Sequence, residues 1–202
     1  GKFSFTGDVI GNYSGDWLDA ATMDNGGTYE YFCNNQQGTG SYPQNSQGLC
    51  QAAVLAVDPY VDFSHYDTDG DGYVDAVGLY VASYGDGSSS RFWPHAWALN
   101  SHVITVDGVK IFRFFLCTEQ ATDGSQSEIG TFCHEYAHTL GLSDLYDYTN
   151  SSYGVGNYCL MGTGSWGGSP RGRGPSHLCG WYKAALGWAS VSELGTPGHY
   201  SL

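Results

Sequence analysis

The segment from His134 to Asp144 constrains the fold and chemistry of this chain more than any other, because it begins with H-E-x-x-H. Residues four positions apart share one face of a helix, so a helix here directs the imidazoles of His134 and His138 toward one point. The adjacent Glu135 can take a proton from a metal-bound water. Gly141 allows the helix to end in a left-handed turn, which brings Asp144 within reach as a third ligand. The motif predicts zinc, which accepts nitrogen and oxygen ligands and keeps one position open for water.

The residues around this motif predict the helix that carries it. Ser125 and Glu128 have the S-x-x-E spacing of a capping box, with Ser125 as the N-cap. Apolar residues recur at intervals of three and four and predict one buried face, formed by Ile129, Phe132, Tyr136 and Leu140. Both histidines fall on the opposite side, so we expect that side to face a cleft. A surface helix with two unrelated histidines is the alternative interpretation.

Positions 67–75 carry a second acidic motif with the sequence D-T-D-G-D-G-Y-V-D. Carboxylates at alternate positions of a tight loop converge on one hard cation, as in the first part of a calcium loop. Gly78 stands where a complete EF-hand has glutamate, so we predict a structural calcium site that leads into a strand. A solvated acidic turn is the alternative. The candidate ligands are Asp67, Asp69, Asp71, Asp75 and the carbonyl of Tyr73.

The size and charge of the chain limit its classes of partner. Its 202 residues, with no internal repeat or linker, predict one domain over 1–202 with a sizeable core. A net charge of −13 with only 7 Lys and Arg residues excludes a phosphate-binding surface, so no nucleic-acid partner is expected. No apolar run reaches about 20 residues, so no membrane span is expected either.

The even number of cysteines predicts disulfides and a secreted, extracellular protein. The candidates are Cys33, Cys50, Cys117, Cys133, Cys159 and Cys179. Pairing of neighbours in the sequence (33–50, 117–133 and 159–179) is one of several possible connectivities. N-x-S sequons at Asn12 and Asn150 are candidate glycosylation sites that agree with secretion, although such triplets also arise by chance.

Periodicity and turn residues predict the remaining elements. Alternating apolar residues predict strands over 2–10, 73–83 and 114–118, the second of them central. Other segments predict helices over 48–57 and 176–186 and a hairpin over 103–112 that turns at Asp107-Gly108. Glycine-rich stretches predict long loops over 28–45 and 150–175.

Short motifs recur along much of the chain in a fixed order. They include G-K-F-S-F-T-G at 1–7, the acidic motif at 66–75, W-P-H at 93–95 and the segment 134–147, which is the most specific. L-M-G-T-G-S-W at 160–166, Lys183 and L-G-W at 186–188 follow. Together these motifs resemble the immune inhibitor A group of secreted metalloproteases.

The resemblance implies an α+β fold: a metzincin-like zinc peptidase domain with a twisted mixed sheet, an active-site helix and long glycine-rich loops. It implies that His134, His138 and Asp144 bind zinc and that Glu135 is the general base. Met161 would form the Met-turn, a hydrophobic floor beneath the metal. Ser143 stands where the family usually has proline, which should loosen this turn without removing a ligand.

The expected function is that of a secreted zinc-dependent endopeptidase that hydrolyses protein or peptide substrates and is stabilised by calcium. The chain begins at the family's early strand, so we expect a propeptide, as in a zymogen, or a second chain to account for the missing amino-terminal part. A non-catalytic binding or adhesion module is one alternative, which the intact Glu135 disfavours, and an inactive subunit of a two-chain enzyme, suggested by the missing amino-terminal part, is another. A thermolysin-like enzyme with a later glutamate ligand is a third, which Gly141, Asp144 and Met161 disfavour.

The sequence leaves the roles of one histidine and three tyrosines undecided. His95 can face the cleft, but a hydrogen-bonded structural role is the favoured interpretation. Tyr146, Tyr148 and Tyr158 are candidates for stabilising an oxyanion, and the sequence does not choose among them.

Overall fold

A computed structural model describes Gly7 and residues 28–193 except positions 86, 122 and 150. The strand predicted over 2–10 and the sequons at Asn12 and Asn150 therefore lie outside the described residues. Within the described part of the chain, no helix has the length and apolar character that crossing a membrane requires. The helices and strands, in chain order, are α1 (Tyr29–Cys33), α2 (Ser46–Val57), β1 (Val77–Tyr84), β2 (His95–Ala98), β3 (Ile104–Val106), β4 (Val109–Ile111), β5 (Arg113–Gln120), α3 (Ile129–Thr139) and α4 (Gly180–Ala185).

The main sheet is mixed, in the order β1-β5-β2. β1 runs parallel to β5, whereas β2 runs antiparallel to it, with Ala96 opposite Phe115 and Ala98 opposite Arg113. Among the described strands β5 is central, so the central position predicted for 73–83 is wrong. The physical reason is burial, because β5 is apolar on both faces from Phe114 to Cys117, as a strand covered on both sides must be.

Strands β3 and β4 form the predicted hairpin. Ile104 pairs with Ile111, and the turn lies at Asp107 and Gly108, whose φ angles are 49° and 82°. Positive φ at both central residues is the requirement of a type I′ turn, which favours Asp-Gly. The hairpin leads directly into β5, so its turn helps to position the first residue of that strand, Arg113.

Helix α2 begins two residues earlier than predicted. The side chain of Asn45 accepts a hydrogen bond from the backbone N–H of Gly48 at 3.0 Å and caps the helix. One hydrophobic core joins this helix to α1, β1, β5 and the hairpin, and it includes Phe32, Val54, Phe92, Phe114 and Leu116.

A second hydrophobic core lies on the other side of the molecule, beneath the carboxyl end of α3. Its buried members are Ala137, Leu142, Cys159, Leu160, Met161, Leu178 and Tyr182. Helix α3 also packs against the sheet, because Phe132 and Tyr136 meet the Phe115 ring edge-on, with centroids 5.1 and 5.9 Å away. This helix therefore lies between the sheet and the second core.

All six cysteines are free thiols in the structure, so the predicted disulfides are not confirmed. Cys159 and Cys179 approach each other, because the backbone N–H of Cys179 donates to Cys159 Sγ at 3.2 Å. Burial raises the pKa of the Cys117 thiol most, and the nearby Glu135 and Cys133 of α3 raise it further.

Candidate metal centre and active-site cleft

Helix α3 begins at Ile129, with Glu128 at its N-cap, so the capping box predicted for Ser125 is wrong. The backbone N–H and the hydroxyl of Ser125 both donate to Asp123 Oδ1, at 2.9 and 2.6 Å. A nearby aspartate competes for local hydrogen bonds and forms a turn before the helix. Ile129 is half exposed, and the other residues of the predicted buried face, Phe132, Tyr136 and Leu140, are only half-buried, so that prediction is wrong. The buried residues of α3 are Gly130, His134, Glu135, Ala137 and Thr139, because the sheet and the second core cover the helix on the side of the histidines as well.

The two histidines of α3 are held by backbone carbonyls. His134 Nδ1 lies 2.9 Å from the oxygen of Leu160, and His138 Nδ1 lies 2.7 Å from the oxygen of Leu142. A carbonyl oxygen only accepts hydrogen bonds, so each Nδ1 is the donor and each Nε2 keeps a free lone pair. This is the orientation and tautomer that a metal-binding histidine needs.

Asp144 completes the group of ligand atoms. Gly141, with φ of 86°, ends the helix in the predicted left-handed turn, and the backbone N–H of Leu142 returns to Ala137 O at 3.3 Å. Asp144 Oδ1 then lies 3.0 Å from His134 Nε2 and 3.3 Å from His138 Nε2.

Three acceptor atoms thus converge on one point. Asp144 Oδ1 is buried and accepts no hydrogen bond from a donor in the described residues, since both facing Nε2 atoms are acceptors in this tautomer. Lone pairs this close repel one another unless a proton or a cation lies between them. The arrangement fits a divalent metal, which would satisfy all three atoms together.

The pKa values in this site reflect the same convergence. Burial raises the pKa of Glu135 to about 7, although the neighbouring histidines act in the opposite direction. Burial also acts to raise the pKa of Asp144, but the facing His134 and His138 rings, when they carry a second proton, and the hydrogen bond from Tyr148 hold it well below its usual range. Burial acts to lower the pKa of both histidines, and their contact with Asp144 outweighs it and raises each. A metal replaces the protons that these groups otherwise share.

A cleft of about 520 Å³ opens between β2 and α3, above this group. Glu135 lies in its wall, and the backbone N–H of Ala96 acts on the carboxylate from the β2 side. The cleft is bordered by Trp93, Pro94, His95, Ala96, Trp97, Ala98, Phe112, Arg113, His134, Glu135, His138, Thr139, Asp144 and Tyr146. Glu135 is therefore positioned between the candidate ligands and the strand that faces them.

His95 lies in the wall of the cleft and is also hydrogen bonded on both ring nitrogens. Its Nε2 is 2.7 Å from Ser46 Oγ, and its Nδ1 is 2.6 Å from the oxygen of Trp93. Burial lowers the pKa of His95, so the ring is neutral near pH 7. The structural role favoured from the sequence agrees with these bonds.

The structure separates the three candidate tyrosines. Tyr146 borders the cleft, and its ring is nearly parallel to that of His134 at 6.4 Å. Tyr148 donates to Asp144 Oδ2 at 2.6 Å, whereas Tyr158 is exposed and lies outside the cleft. The sequence predicts Tyr148 only as an oxyanion donor, because no local pattern distinguishes a tyrosine that holds a ligand.

Met161 is fully buried in the second core together with Ala137 of α3. Its backbone oxygen accepts a hydrogen bond from the N–H of Leu145 at 2.7 Å, which ties the segment after α3 to the segment that carries the methionine. Asp147, in contrast, accepts hydrogen bonds from Thr149, Ser151 and Ser152 and closes its own surface loop.

The acidic loop brings together three of its four aspartates. Ligand oxygens of Asp67, Asp69 and Asp71 lie within 4.8 Å of one another. Gly70 and Gly72 supply the tight turns, with φ angles of 75° and 85°. Asp75 lies outside this group, because its carboxylate turns back to Thr68 and accepts from the hydroxyl at 2.5 Å.

The other two ligands predicted for calcium, Tyr73 and Asp75, make different contacts in the structure. Asp75 accepts hydrogen bonds from Thr68 and lies outside the group of three carboxylates, so its role as a direct ligand stays a prediction. Tyr73 donates its backbone N–H to Asp71 Oδ1 at 2.8 Å, and its ring lies under the ammonium of Lys110. Its carbonyl stays a prediction.

The comparisons with known proteins agree with this geometry. Residues 3–189 match the family described as immune inhibitor A peptidase M6, catalytic domain. The chain is 28% identical over 188 residues to the pre-pro-metalloprotease PrtV of Vibrio cholerae serotype O1, which covers 77% of this chain and 20% of that protein. It is 25% identical over 188 residues to immune inhibitor A of Bacillus thuringiensis subsp. alesti, covering 75% of this chain and 27% of that protein.

The chain therefore spans only about a fifth to about a quarter of the length of these curated relatives. The match to the family nevertheless includes nearly all of this chain, and the H-E-x-x-H helix lies within it. The chain therefore belongs to the immune inhibitor A peptidase M6 family and carries that family's catalytic domain.

Proposed function

We propose that this chain is a secreted zinc-dependent endopeptidase in which His134, His138 and Asp144 hold the metal and Glu135 is the general base. One observation carries the proposal: Nε2 of each histidine lies within 3.3 Å of Asp144 Oδ1, and both Nδ1 atoms are engaged by carbonyls. A zinc ion bound there would supply an acidified water and a Lewis acid for the scissile carbonyl.

Glu135 moves the proton in this mechanism. Its carboxylate is buried, and a pKa near 7 lets it accept a proton at neutral pH and return it later to the leaving amine. Because a water, and not a side chain, would attack the scissile carbonyl, no covalent intermediate with the protein is required. Ala96 of β2 borders the cleft on the other side of the carboxylate.

The substrate is a polypeptide in an extended conformation. The cleft is open along β2 and has aromatic walls from Trp93 and Trp97, which suit peptide side chains. Tyr146, beside His134, is the tyrosine best placed to donate a hydrogen bond to a developing oxyanion.

The metzincin-like architecture belongs to the same proposal. It is supported by the left-handed turn at Gly141 that precedes Asp144 and by the burial of Met161 beneath α3. Calcium in the loop of Asp67, Asp69 and Asp71 is proposed as a structural cofactor, supported by the convergence of their oxygens. Secretion is supported by the six cysteines and by the pre-pro naming of a relative.

The test is a comparison of wild type with Glu135→Gln. Both proteins are loaded with zinc, their metal content is measured, and cleavage of casein and of a quenched fluorescent peptide is followed. We expect one zinc per chain in both proteins and a loss of activity of at least about 100-fold in the variant. A variant that retains near wild-type activity would contradict the proposed mechanism, and a zinc-loaded wild type without activity would favour a binding module or an inactive subunit.

A further inference from the structure

Arg113 stands at one end of the cleft and gives it a charge that the proposed mechanism does not use. The side chain borders the cleft and is exposed, and it forms no ion pair with any other residue in the described segments. Lys110, Arg173 and Lys183 also form no ion pair within the described residues, so it is the location of Arg113 in the cleft that distinguishes it. The position of Arg113 therefore calls for a functional explanation.

The register of the sheet explains why Arg113 reaches the cleft. Alternate residues of a strand share a face, so Arg113 lies on the same face of β5 as Phe115, which packs against α3. Arg113 precedes the part of β5 that α3 covers, so its side chain extends past the last turn of the helix. Thr139, at the end of α3, borders the cleft beside it.

The partner strand leaves space in front of this side chain. Ala98 pairs with Arg113 and Ala96 pairs with Phe115, so the residues of β2 that share the α3 face are both alanines. Their short side chains keep the cleft open from the candidate metal site to the guanidinium. A substrate side chain can occupy this space without displacing a residue of the protein.

The charges in the cleft leave Arg113 uncompensated. With a divalent cation held as proposed, the carboxylates of Asp144 and Glu135 balance its two positive charges, and the ligand histidines are neutral. His95 is neutral because burial lowers its pKa. The guanidinium then provides the net positive charge of the cleft.

We propose that Arg113 is a specificity-determining residue that selects an acidic side chain, aspartate or glutamate, at one subsite of the substrate peptide. Its planar donors bind a carboxylate with two parallel hydrogen bonds, which a lysine or a neutral side chain in the substrate does not offer. This inference rests on the proposed peptidase function and adds the class of substrate residue. Because Arg113 is exposed, the expected preference is moderate, about fivefold over the uncharged amide.

The experiment uses the zinc-loaded full chain and a positional library of quenched peptides in which each position carries Glu, Gln or Lys. We expect one position at which Glu exceeds Gln by about fivefold in kcat/KM, with Lys lowest, and a smaller ratio at high salt. Arg113→Ala should remove this preference, Arg113→Lys should retain part of it, and Arg113→Glu should make Lys the best residue.

Arg173→Ala is the matched control, because it removes the same charge from an exposed residue that lies outside the cleft. This variant should keep the preference for Glu. Retention of the preference in Arg113→Ala, or equal cleavage of Glu and Gln peptides by wild type at every position, would overturn the inference.

A binding measurement separates this inference from the proposed function. The same peptides, labelled with a fluorophore, are titrated against zinc-loaded Glu135→Gln, and their anisotropy is followed. Tighter binding of the Glu peptide that disappears with Arg113→Ala supports the inference, whether or not wild type cleaves the peptides. Absence of cleavage by wild type would contradict only the proposed function. Cleavage or binding without discrimination of charge contradicts the inference and leaves the peptidase proposal intact.

Discussion

The phenolic oxygen of Tyr148 donates a hydrogen bond to Asp144 Oδ2 at 2.6 Å, so that Oδ1 of the same carboxylate faces the two histidines. One oxygen of the aspartate is thus held by the protein, while the other is directed at the candidate metal position. Partners of this kind fix the rotamer of a ligand and are worth about 10–100-fold in metal affinity.

We predict that Tyr148→Phe weakens zinc binding by about 10-fold, because the ring remains and only the hydrogen bond to Asp144 is lost. A competitive titration with a zinc-selective dye measures the change. Tyr158→Phe is the control, since that side chain is exposed and outside the cleft. Equal losses in the two variants would show that the hydroxyl of Tyr148 does not position the ligand.

A second prediction distinguishes the two aspartates that follow α3. Asp144→Ala should lower zinc affinity severely, by about 100-fold or more, because it removes a direct ligand. Asp147→Ala should leave zinc bound and lower stability, because Asp147 accepts four hydrogen bonds within its own loop. Zinc titration and thermal melting of both variants provide the measurements, and loss of the metal from Asp147→Ala alone would reverse the assignment.

The third prediction concerns the acidic loop. Calcium that binds only the folded state raises Tm, and Asp69→Ala combined with Asp71→Ala should abolish the increase. Asp75→Asn is the matched control, because Asp75 is engaged with Thr68 and lies outside the group of three carboxylates. It should lower the starting Tm and keep the response to calcium. A melting curve that is insensitive to calcium and to a calcium-selective chelator would identify the loop as an ordinary acidic turn.

The fourth prediction is a pH dependence that originates from His95. Burial holds the pKa of His95 below its ordinary value of 6.5, so the unfolded chain binds a proton that the folded chain resists. The stability that depends on the neutral ring is therefore fully present above pH 6.5 and is lost as the pH falls below it. One proton sets an upper limit of about 1.4 kcal/mol per pH unit on this loss.

Urea unfolding of wild type and His95→Gln at pH 7.5 and 5.5 measures this contribution. The difference between the two proteins isolates His95, because the other histidines are present in both. We expect the variant to lose less free energy of unfolding on acidification. His177→Gln, at an exposed site without an ion pair among the described residues, is the control, and identical pH dependence in wild type and both variants would contradict the prediction.

The fifth prediction returns to the cysteines. Cys159 and Cys179 are the pair joined by a direct contact to sulfur, and they link the segment before Met161 to the start of α4. We predict that protein secreted into an oxidising medium contains the 159–179 disulfide, detected by mass spectrometry after alkylation without reduction. Replacing both cysteines by serine should then lower the free energy of unfolding by about 2–4 kcal/mol. Full alkylation of both thiols in the secreted protein would contradict the prediction.

The local part of the site could be predicted from the sequence, because its geometry is local. The spacing of His134 and His138 and the left-handed turn at Gly141 place three candidate ligand atoms without reference to the rest of the chain. The anchoring of His134 by Leu160 could not be predicted, because the partner is a backbone carbonyl 26 positions away. A carbonyl has no residue-type signature.

Two of the sequence predictions are wrong because another interaction, local or distant, replaces the predicted one. Ser125 has the pattern of an N-cap, but its N–H and its hydroxyl donate to Asp123 Oδ1 and do not cap the helix. The alternating pattern of 73–83 resembles a core strand, yet the order of strands depends on pairing between distant segments, and β5 occupies the centre of the described sheet. Periodicity predicts which face of a strand is buried and contains no information about its neighbours.

The closeness of the three candidate ligands along the chain has a consequence for how the protein assembles. Bringing the three ligands together closes only the short segment 134–144. Because the entropy lost on closing a loop rises with its length, this loss is small even in a chain that is still largely unfolded. The cleft, in contrast, needs β2 and β5 to meet α3 across many intervening residues. The chain should therefore bind its metal ion before the cleft is complete during folding, and so before it can cleave a peptide.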